Sequence, residues 1–237
     1  MITIRDVSKA YGASFALQDV TLELPRGSVT ILQGPSGSGK TTLLRLIAGL
    51  EPPTTGEITI AGERVSSPDS LRPPYERGLG FVFQDAALWP HMTVFRNVAF
   101  GLLGHPRREI APRVDGILAA LGLTDLTHRY PNQLSGGEAR RVSIARTLVT
   151  HPQRLLLDEP LTHVDPDLKA RLLTMILEQV RNDRCTLVYV THDHDETAHL
   201  RTAMPASHVI MMAQGQLQTP QPIQAKRRRG EGAVHGD

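Results

Sequence analysis

Gly34-Pro35-Ser36-Gly37-Ser38-Gly39-Lys40-Thr41 is the stretch whose reading decides the fold. It fits the pattern G-x-x-x-x-G-K-[ST], in which the backbone N–H groups of a glycine-rich loop cradle phosphates. Lys40 is of a length to reach the β and γ phosphates, and the Thr41 hydroxyl is a hard ligand for Mg²⁺. The flanks agree. Val29-Thr30-Ile31-Leu32 reads as a buried strand, and Thr41 to Gly49 as an apolar helix whose positive dipole end meets the loop. Residues 34–41, with Thr42 on the next turn, are therefore candidate nucleotide-binding positions.

Working outward, Leu155-Leu156-Leu157-Asp158-Glu159 is an apolar strand ending in two acids. A buried strand delivers Asp158 to the metal beside the phosphates. Glu159, one residue on, points differently and suits a group that accepts a proton from a water attacking the γ-phosphate. Thr186 to Thr191 is another continuous apolar strand, as expected of a parallel sheet covered on both faces. Ile2-Thr3-Ile4, Val20 to Leu24 and Gly56 to Ile60 alternate with polar residues, and Gly80 to Phe83 is a further strand. Val209 to Met212 is expected to be the last strand. Between 86 and 150 the texture becomes helical: Ile110, Val114, Ile117, Leu118 and Leu121 share one face, with Gly122 as a C-cap. Val142, Ala145 and Val149 repeat the period, and a further helix is expected from about Asp167 to Arg181. From Thr219 the chain is Pro, Gln, Gly and charge, which predicts disorder.

The composition narrows the class. With 237 residues, 40% hydrophobic and 21% charged, the chain reads as soluble and globular rather than disordered. Lys plus Arg total 26 against 24 Asp plus Glu, so net charge alone implies no polyanionic partner. The single cysteine, Cys185, excludes an internal disulfide or a four-cysteine zinc site and fits a reducing compartment. Charges at Arg5 and Asp6 interrupt any apolar leader, and no apolar run approaches the ~18 residues a membrane helix needs. The expectation is a chain that is neither secreted nor membrane-spanning.

Leu134-Ser135-Gly136-Gly137-Glu138 is the most specific feature. A serine and two glycines at a helix start make a second anion site. A spare site makes sense if it closes over the nucleotide of another copy. With this segment the motif set resembles the ATP-binding cassette (ABC) family, the nucleotide-binding subunits of ABC transporters, over about residues 1 to 217. The resemblance implies an α/β fold: a P-loop ATPase core with a mainly parallel sheet, an N-terminal antiparallel β-subdomain and an inserted α-helical subdomain. It implies a core of 1–85 and 151–218, a helical subdomain of 86–150 that carries the signature segment, and a tail of 219–237. ATP and Mg²⁺ are the implied cofactors. Two copies, identical or related, would meet head to tail around two ATPs.

The resemblance also implies roles for single residues. Tyr11 looks like the aromatic that stacks on adenine, although a core tyrosine is the plainer alternative. Gln84 looks like the glutamine that contacts Mg²⁺ or the attacking water, Asp165 like the acid that acts across the dimer, and His192 like the histidine at the γ-phosphate. His163, His194 and His199 read as surface residues, and His192-Asp193-His194-Asp195 as an acidic, His-rich loop rather than a metal site. Two departures stand out. Glu138 occupies a position where Gln is usual, a less welcome neighbour for phosphate unless Arg140 and Arg141 offset its charge. His163 in the segment before Asp165 would make dimer coupling pH-sensitive.

Ala87-Leu88-Trp89-Pro90-His91-Met92-Thr93-Val94-Phe95 resembles bacterial importer subunits. Trp89 is read as a docking residue for a permease helix, and Val94 and Phe95 as core. The implied partners are transmembrane permease subunits and an extracytoplasmic solute-binding protein, with the chain peripheral on the cytoplasmic face of the inner or plasma membrane. With about 20 residues after the last strand, no C-terminal regulatory domain is expected, and Lys226-Arg227-Arg228-Arg229 there reads as solvated. No nucleic-acid partner is expected. The alternative is a soluble, non-transport ABC ATPase in a nucleic-acid or regulatory process. A short gap between Gln84 and Leu134, and one cassette per chain, count against it.

Overall fold

The computed structural model describes residues 1–162 and 164–218. His163 and the segment from 219 that holds Lys226 to Arg229 lie outside the described residues, and with them the expectations made for both.

Strands β1 (Ile2–Tyr11) and β2 (Ser14–Leu24) form an antiparallel hairpin that buries Ile2, Ile4, Val7, Leu17, Val20 and Leu24. The chain then enters β3 (Val29–Gln33), which is apolar and buried on both faces, and passes through the glycine loop into α1 (Lys40–Ala48). It returns to the hairpin as β4 (Thr55–Ile60), β5 (Glu63–Ser67) and β6 (Ser70–Leu71), giving an antiparallel sheet in the order β2-β1-β4-β5-β6. After the short strand β7 (Gly80–Val82) come α2 (Val94–Ala99), α3 (Arg107–Ala120) and α4 (Gly136–Leu148), joined by short 3-10 turns. Gly122, two residues past α3, has φ +63 and suits the left-handed turn that ends a helix there. Then follow β8 (Arg154–Asp158), α5 (Pro166–Asn182) and β9 (Thr186–Val190).

The second sheet has the order β11-β10-β3-β9-β8-β7, with every pairing parallel except that of β10 with β11. Its strands alternate between two cores, as a period of two demands. Leu155, Leu157, Leu187 and Tyr189 face one cluster with Val98, Val142 and Ile176 of the helices. Leu156, Val188 and Val190 face the other, with Leu43 and Ile47 of α1 and Ile2 and Leu17 of the antiparallel sheet. The helix α1 that follows the glycine loop is thus clamped between the two sheets.

Two expectations are corrected. Val209 to Met212 lies in β10 (His208–Ala213), but it is not the last strand. Gln214 and Gly215 turn the chain with positive φ into β11 (Gln216–Gln218), which adds an antiparallel edge. His192 to Asp195 is not wholly loop, because Asp193 caps α6 (His194–Ala203) by accepting from the N–H groups of Asp195 and Glu196. The lone Cys185 is 3% exposed, and burial pushes its thiol up to about 12.

One buried cation joins the layers. Arg77 is 2% exposed, and its guanidinium donates to the carbonyls of Leu46 and Ile47 at the end of α1, to Val65 O and Ser66 Oγ of β5, and to Arg72 O. The guanidinium thus serves five acceptors, two of them carbonyls at the C-terminal end of α1, where a cation is favoured. Burial lowers its pKa to about 10, so it stays charged at neutral pH. Arg77→Met is expected to lower stability by about 3 kcal/mol, because the acceptors lose their donor. Equilibrium urea unfolding checks this, and a midpoint unchanged from wild type would contradict it.

Candidate functional site

The glycine loop is held open by backbone geometry that side chains cannot adopt. Gly34 has φ +152, and a Cβ there would stand 2.1 Å from Met212 O of β10. Gly39, at the foot of α1, has φ +100, and its Cβ would stand 2.6 Å from Ala16 O. Around this loop lies a cleft of about 360 Å³ lined by residues 36–42, Gln84 and Glu159. Lys40 is buried at its base, and its ammonium donates to Gly34 O at 2.8 Å, Pro35 O at 2.9 Å and Ser38 Oγ at 3.3 Å. Burial lowers its pKa, against the pull of Glu159 and Asp158. A cation held by three neutral acceptors is well placed to exchange one of them for an anion entering the loop.

Asp158 ends β8 and is 2% exposed. Burial pushes its carboxyl up, while a hydrogen bond from the Thr41 hydroxyl and the charge of Lys40 pull the other way. A desolvated carboxylate beside a hydroxyl is a donor set that a hard divalent cation satisfies. Glu159 turns the chain with φ +47, and its N–H donates to Val190 O at 3.0 Å, tying the turn to β9. The turn swings its carboxylate away from Asp158, to where Glu159 Oε1 lies 3.1 Å from His192 Nδ1. The histidine side chain is 64% exposed and the glutamate 18%, so the pair sits on the rim, open to an incoming group. Gln84 follows β7 and borders three clefts: the one at the phosphate loop, one of about 220 Å³ with Thr41 and Asp158, and one of about 380 Å³ with Gly136 and Thr162.

Lys40, Thr41, Asp158, Glu159, Gln84 and His192, far apart in the chain, thus gather at one edge of the parallel sheet. Of the other sequence candidates, Gly136 shares a cleft with Gln84, and Tyr11, Ser135 and Asp165 do not line the cleft at the phosphate loop. Tyr11 is 48% exposed, which removes the core reading. Its hydroxyl donates to Glu51 at 2.6 Å, and Lys9 lies 5.2 Å from its ring centroid. Ser135 and Gly136 are exposed at the start of α4 and do not line the phosphate cleft. Asp165 caps α5 by accepting from the N–H groups of Asp167 and Leu168.

Glu138 has a local reason to be an acid. Its N–H donates to Ser135 Oγ at 3.2 Å, and its carboxylate accepts from Ser135 N at 2.7 Å, closing a capping box over α4. The S-x-x-E spacing that announces such a box was available in the sequence at 135–138. The expected offset of its charge by two arginines holds for Arg141 alone, whose charge is among the causes lowering the Glu138 pKa. Arg140 is turned inward, donating to Phe83 O and Gln84 O, and Arg146 donates to Ala87 O at 2.9 Å and Ala86 O at 3.4 Å. Helix α4 therefore grips the carbonyls of the segment that carries Gln84. Neither arginine was foreseen in that role. Trp89 is half-buried, its ring centroid 4.2 Å from that of Phe100 and 4.6 Å from the Arg146 guanidinium. Val94 is fully buried and Phe95 packs on the core, while Phe100, against Trp89, is 40% exposed and Leu103, three residues on, 69%.

The Glu138 carboxyl titrates below its ordinary value, chiefly because it accepts from the Ser135 N–H. A folded pKa below the unfolded one means stability that is present above the ordinary carboxylate range and lost as pH falls through the folded value. Glu138→Ala is expected to lower stability at neutral pH by about 1 kcal/mol or less, and Glu138→Gln by less than that. The gap between wild type and Glu138→Ala is expected to narrow in acid. Urea unfolding at neutral and acid pH measures this, and a gap that widens in acid would sink the account.

With this geometry in hand, comparison with known proteins is informative. A family model described as ABC transporter matches residues 17–162. The chain is 44% identical over 228 residues to the sulfate/thiosulfate import ATP-binding protein CysA of Nocardia farcinica, covering 94% of this chain and 66% of that protein. It is 43% identical over 218 residues to the Fe(3+) ions import ATP-binding protein FbpC of Rhizobium etli, covering 91% of this chain and 59% of the relative. The chain therefore spans about six tenths of the length of the curated relatives it matches. Among solved structures it resembles a dimeric bacterial ABC transporter cassette, with a TM-score of 0.84, 29% identity, and coverage of 95% of this chain and 100% of that one. A dimeric ATP-binding cassette in a post-hydrolysis state with ADP and Pi bound matches with a TM-score of 0.83 at the same identity and coverage.

Proposed function

Because the chain belongs to the ABC transporter family, whose model covers its phosphate loop, signature segment and Asp158-Glu159 strand end, we propose that it is the ATP-binding and ATP-hydrolysing subunit of an importer. The observation that carries the reading is that Lys40 and Glu159 line one cleft at the ends of three parallel strands, with His192 paired to Glu159 at its rim. The relatives described above are import ATP-binding proteins, which favours import over a non-transport role.

In this reading residues 34–42 bind the phosphates of ATP through backbone N–H groups and the N-terminus of α1. Lys40 trades loop carbonyls for β and γ oxygens. Thr41, Asp158 and Gln84 are the oxygen donors that would hold Mg²⁺, and when bound the ion screens the phosphate charge. Glu159 accepts a proton from the attacking water. His192 holds the Glu159 carboxylate on one side and the γ-phosphate on the other. Tyr11, exposed and anchored by Glu51, offers its face to adenine.

The signature face stands outside the phosphate cleft of its own chain. Ser135, Gly136 and Gly137, capped by Glu138, therefore serve the nucleotide of a second copy, identical or related, and Asp165 acts across the same interface. The dimeric cassettes it resembles support that arrangement. Permease subunits dock beside Trp89, Phe100 and Leu103, and a solute-binding protein completes the importer. No helix among the described residues is long and apolar enough to cross a membrane, which fits a peripheral subunit on the cytoplasmic face. The transported solute is selected by those partners.

Glu159→Gln is expected to retain MgATP binding and to dimerise with it, while kcat falls by about a hundredfold or more. Steady-state ATPase assays and size-exclusion chromatography check both halves, and turnover near the wild-type rate would remove Glu159 from its role. The same variant, tagged, loaded with MgATP and recovered from native membranes in mild detergent, should carry a multi-span permease. Recovery of soluble proteins or nucleic acid instead would favour the non-transport reading.

A further inference from the structure

His192 is exposed, yet both of its chain neighbours are fixed by a buried polar network that the catalytic reading leaves unused. Glu196 on α6 is 3% exposed, and its Oε2 accepts from Tyr189 Oη at 2.9 Å and Thr191 Oγ1 at 2.7 Å. Thr191 Oγ1 in turn accepts from Asp193 N at 3.0 Å. The Asp193 carboxylate is divided. Its Oδ1 caps α6, and its Oδ2 accepts from Lys169 Nζ at 2.7 Å. The same ammonium lies 3.0 Å from Glu196 Oε1. Thr191 and Asp193, on either side of His192, are therefore both tied to one cation. That cation belongs to α5, one turn from its cap, and Lys169 N donates to Asp165 O at 2.8 Å. A Lys bridging two carboxylates from a neighbouring helix holds a fixed geometry, and its removal leaves Glu196 buried with its charge uncompensated.

We propose that Lys169 is a positioning residue for hydrolysis: by bridging Asp193 and Glu196 it fixes the backbone that carries His192 and links it to the helix that starts at Asp165. This rests on the reading of Glu159 and His192 given above. Lys169 does not line the cleft at the phosphate loop. Its contribution is alignment, and small misplacements of a catalytic group cost large factors in rate.

The test compares Lys169→Met, which keeps the stem and removes the charge, with Lys169→Arg. In Lys169→Met, kcat for MgATP should fall by about tenfold or more while KM and nucleotide affinity stay within about twofold, and Lys169→Arg should recover most of the loss. In a His192→Ala background the same substitution should change kcat by less than about twofold, because the group it aligns is gone. If Lys169→Met fails to fold, Asp193→Asn takes its place. Asn caps α6 as well as Asp does but loses the charge facing Lys169, and the same kcat loss is expected. A wild-type kcat in Lys169→Met, or a full tenfold loss persisting in the His192→Ala background, would overturn the proposal. A wild-type chain that hydrolyses no ATP would instead overturn the functional reading on which it rests.

Discussion

One rung of the parallel sheet governs the rest of the structure. Leu32 of β3 pairs with Val190 of β9, and Val190 pairs with Asp158 of β8, while Val82 of β7 pairs with Leu157 one residue earlier. These strands run the same way, so their C-terminal ends stop at one level. The chain leaves β3 into the glycine loop, β8 into Glu159, β9 into His192 and β7 into Gln84. Four segments separated by up to 158 positions in sequence meet because strand pairing stops them together. A slip of one residue in β8 would turn Asp158 to the opposite face and bury its charge in the wrong core.

The energetics of that edge explain its exposed and buried groups. Lys40 and Asp158 are both buried, and burial works against the charge of each. Their mutual attraction and the loop acceptors offset part of that cost. A polyphosphate with its metal would supply the missing partners to both at once. Glu159 and His192 are different. They lie on the rim, where the Glu159 carboxylate meets His192 Nδ1 and the Thr162 hydroxyl, and depend on the surrounding backbone for their placement.

The residues read as nucleotide contacts were the most legible in the sequence. The glycine loop, Asp158-Glu159 and Leu134 to Glu138 are short contiguous strings whose spacing is set by local chemistry, so no tertiary information is needed to read them. The buried strands were equally plain, because a parallel sheet leaves continuous apolar runs. Helix α6 was hidden because its first turn is His-Asp-Glu, and Leu200 is the fully buried hydrophobic residue it contributes. Strand β11 was hidden because Gln-Leu-Gln, three residues with one apolar side chain, is too short to show a period until β10 lies beside it. Arg77, Arg140, Arg146 and Lys169 escaped for a common reason. Each acts on carbonyls or carboxylates of another element, and a lone basic residue in sequence does not announce what it will meet.

The isolation of Cys185 has a practical consequence for watching the cassette work. At 3% exposure, with its thiol pushed up to about 12, it offers almost no thiolate to a maleimide or nitroxide reagent at neutral pH. It is also the sole cysteine of the chain. A cysteine introduced on an exposed loop would thus be the reactive one in an otherwise native background. Spin or fluorophore distances between two copies can then report opening and closing without first removing a native thiol.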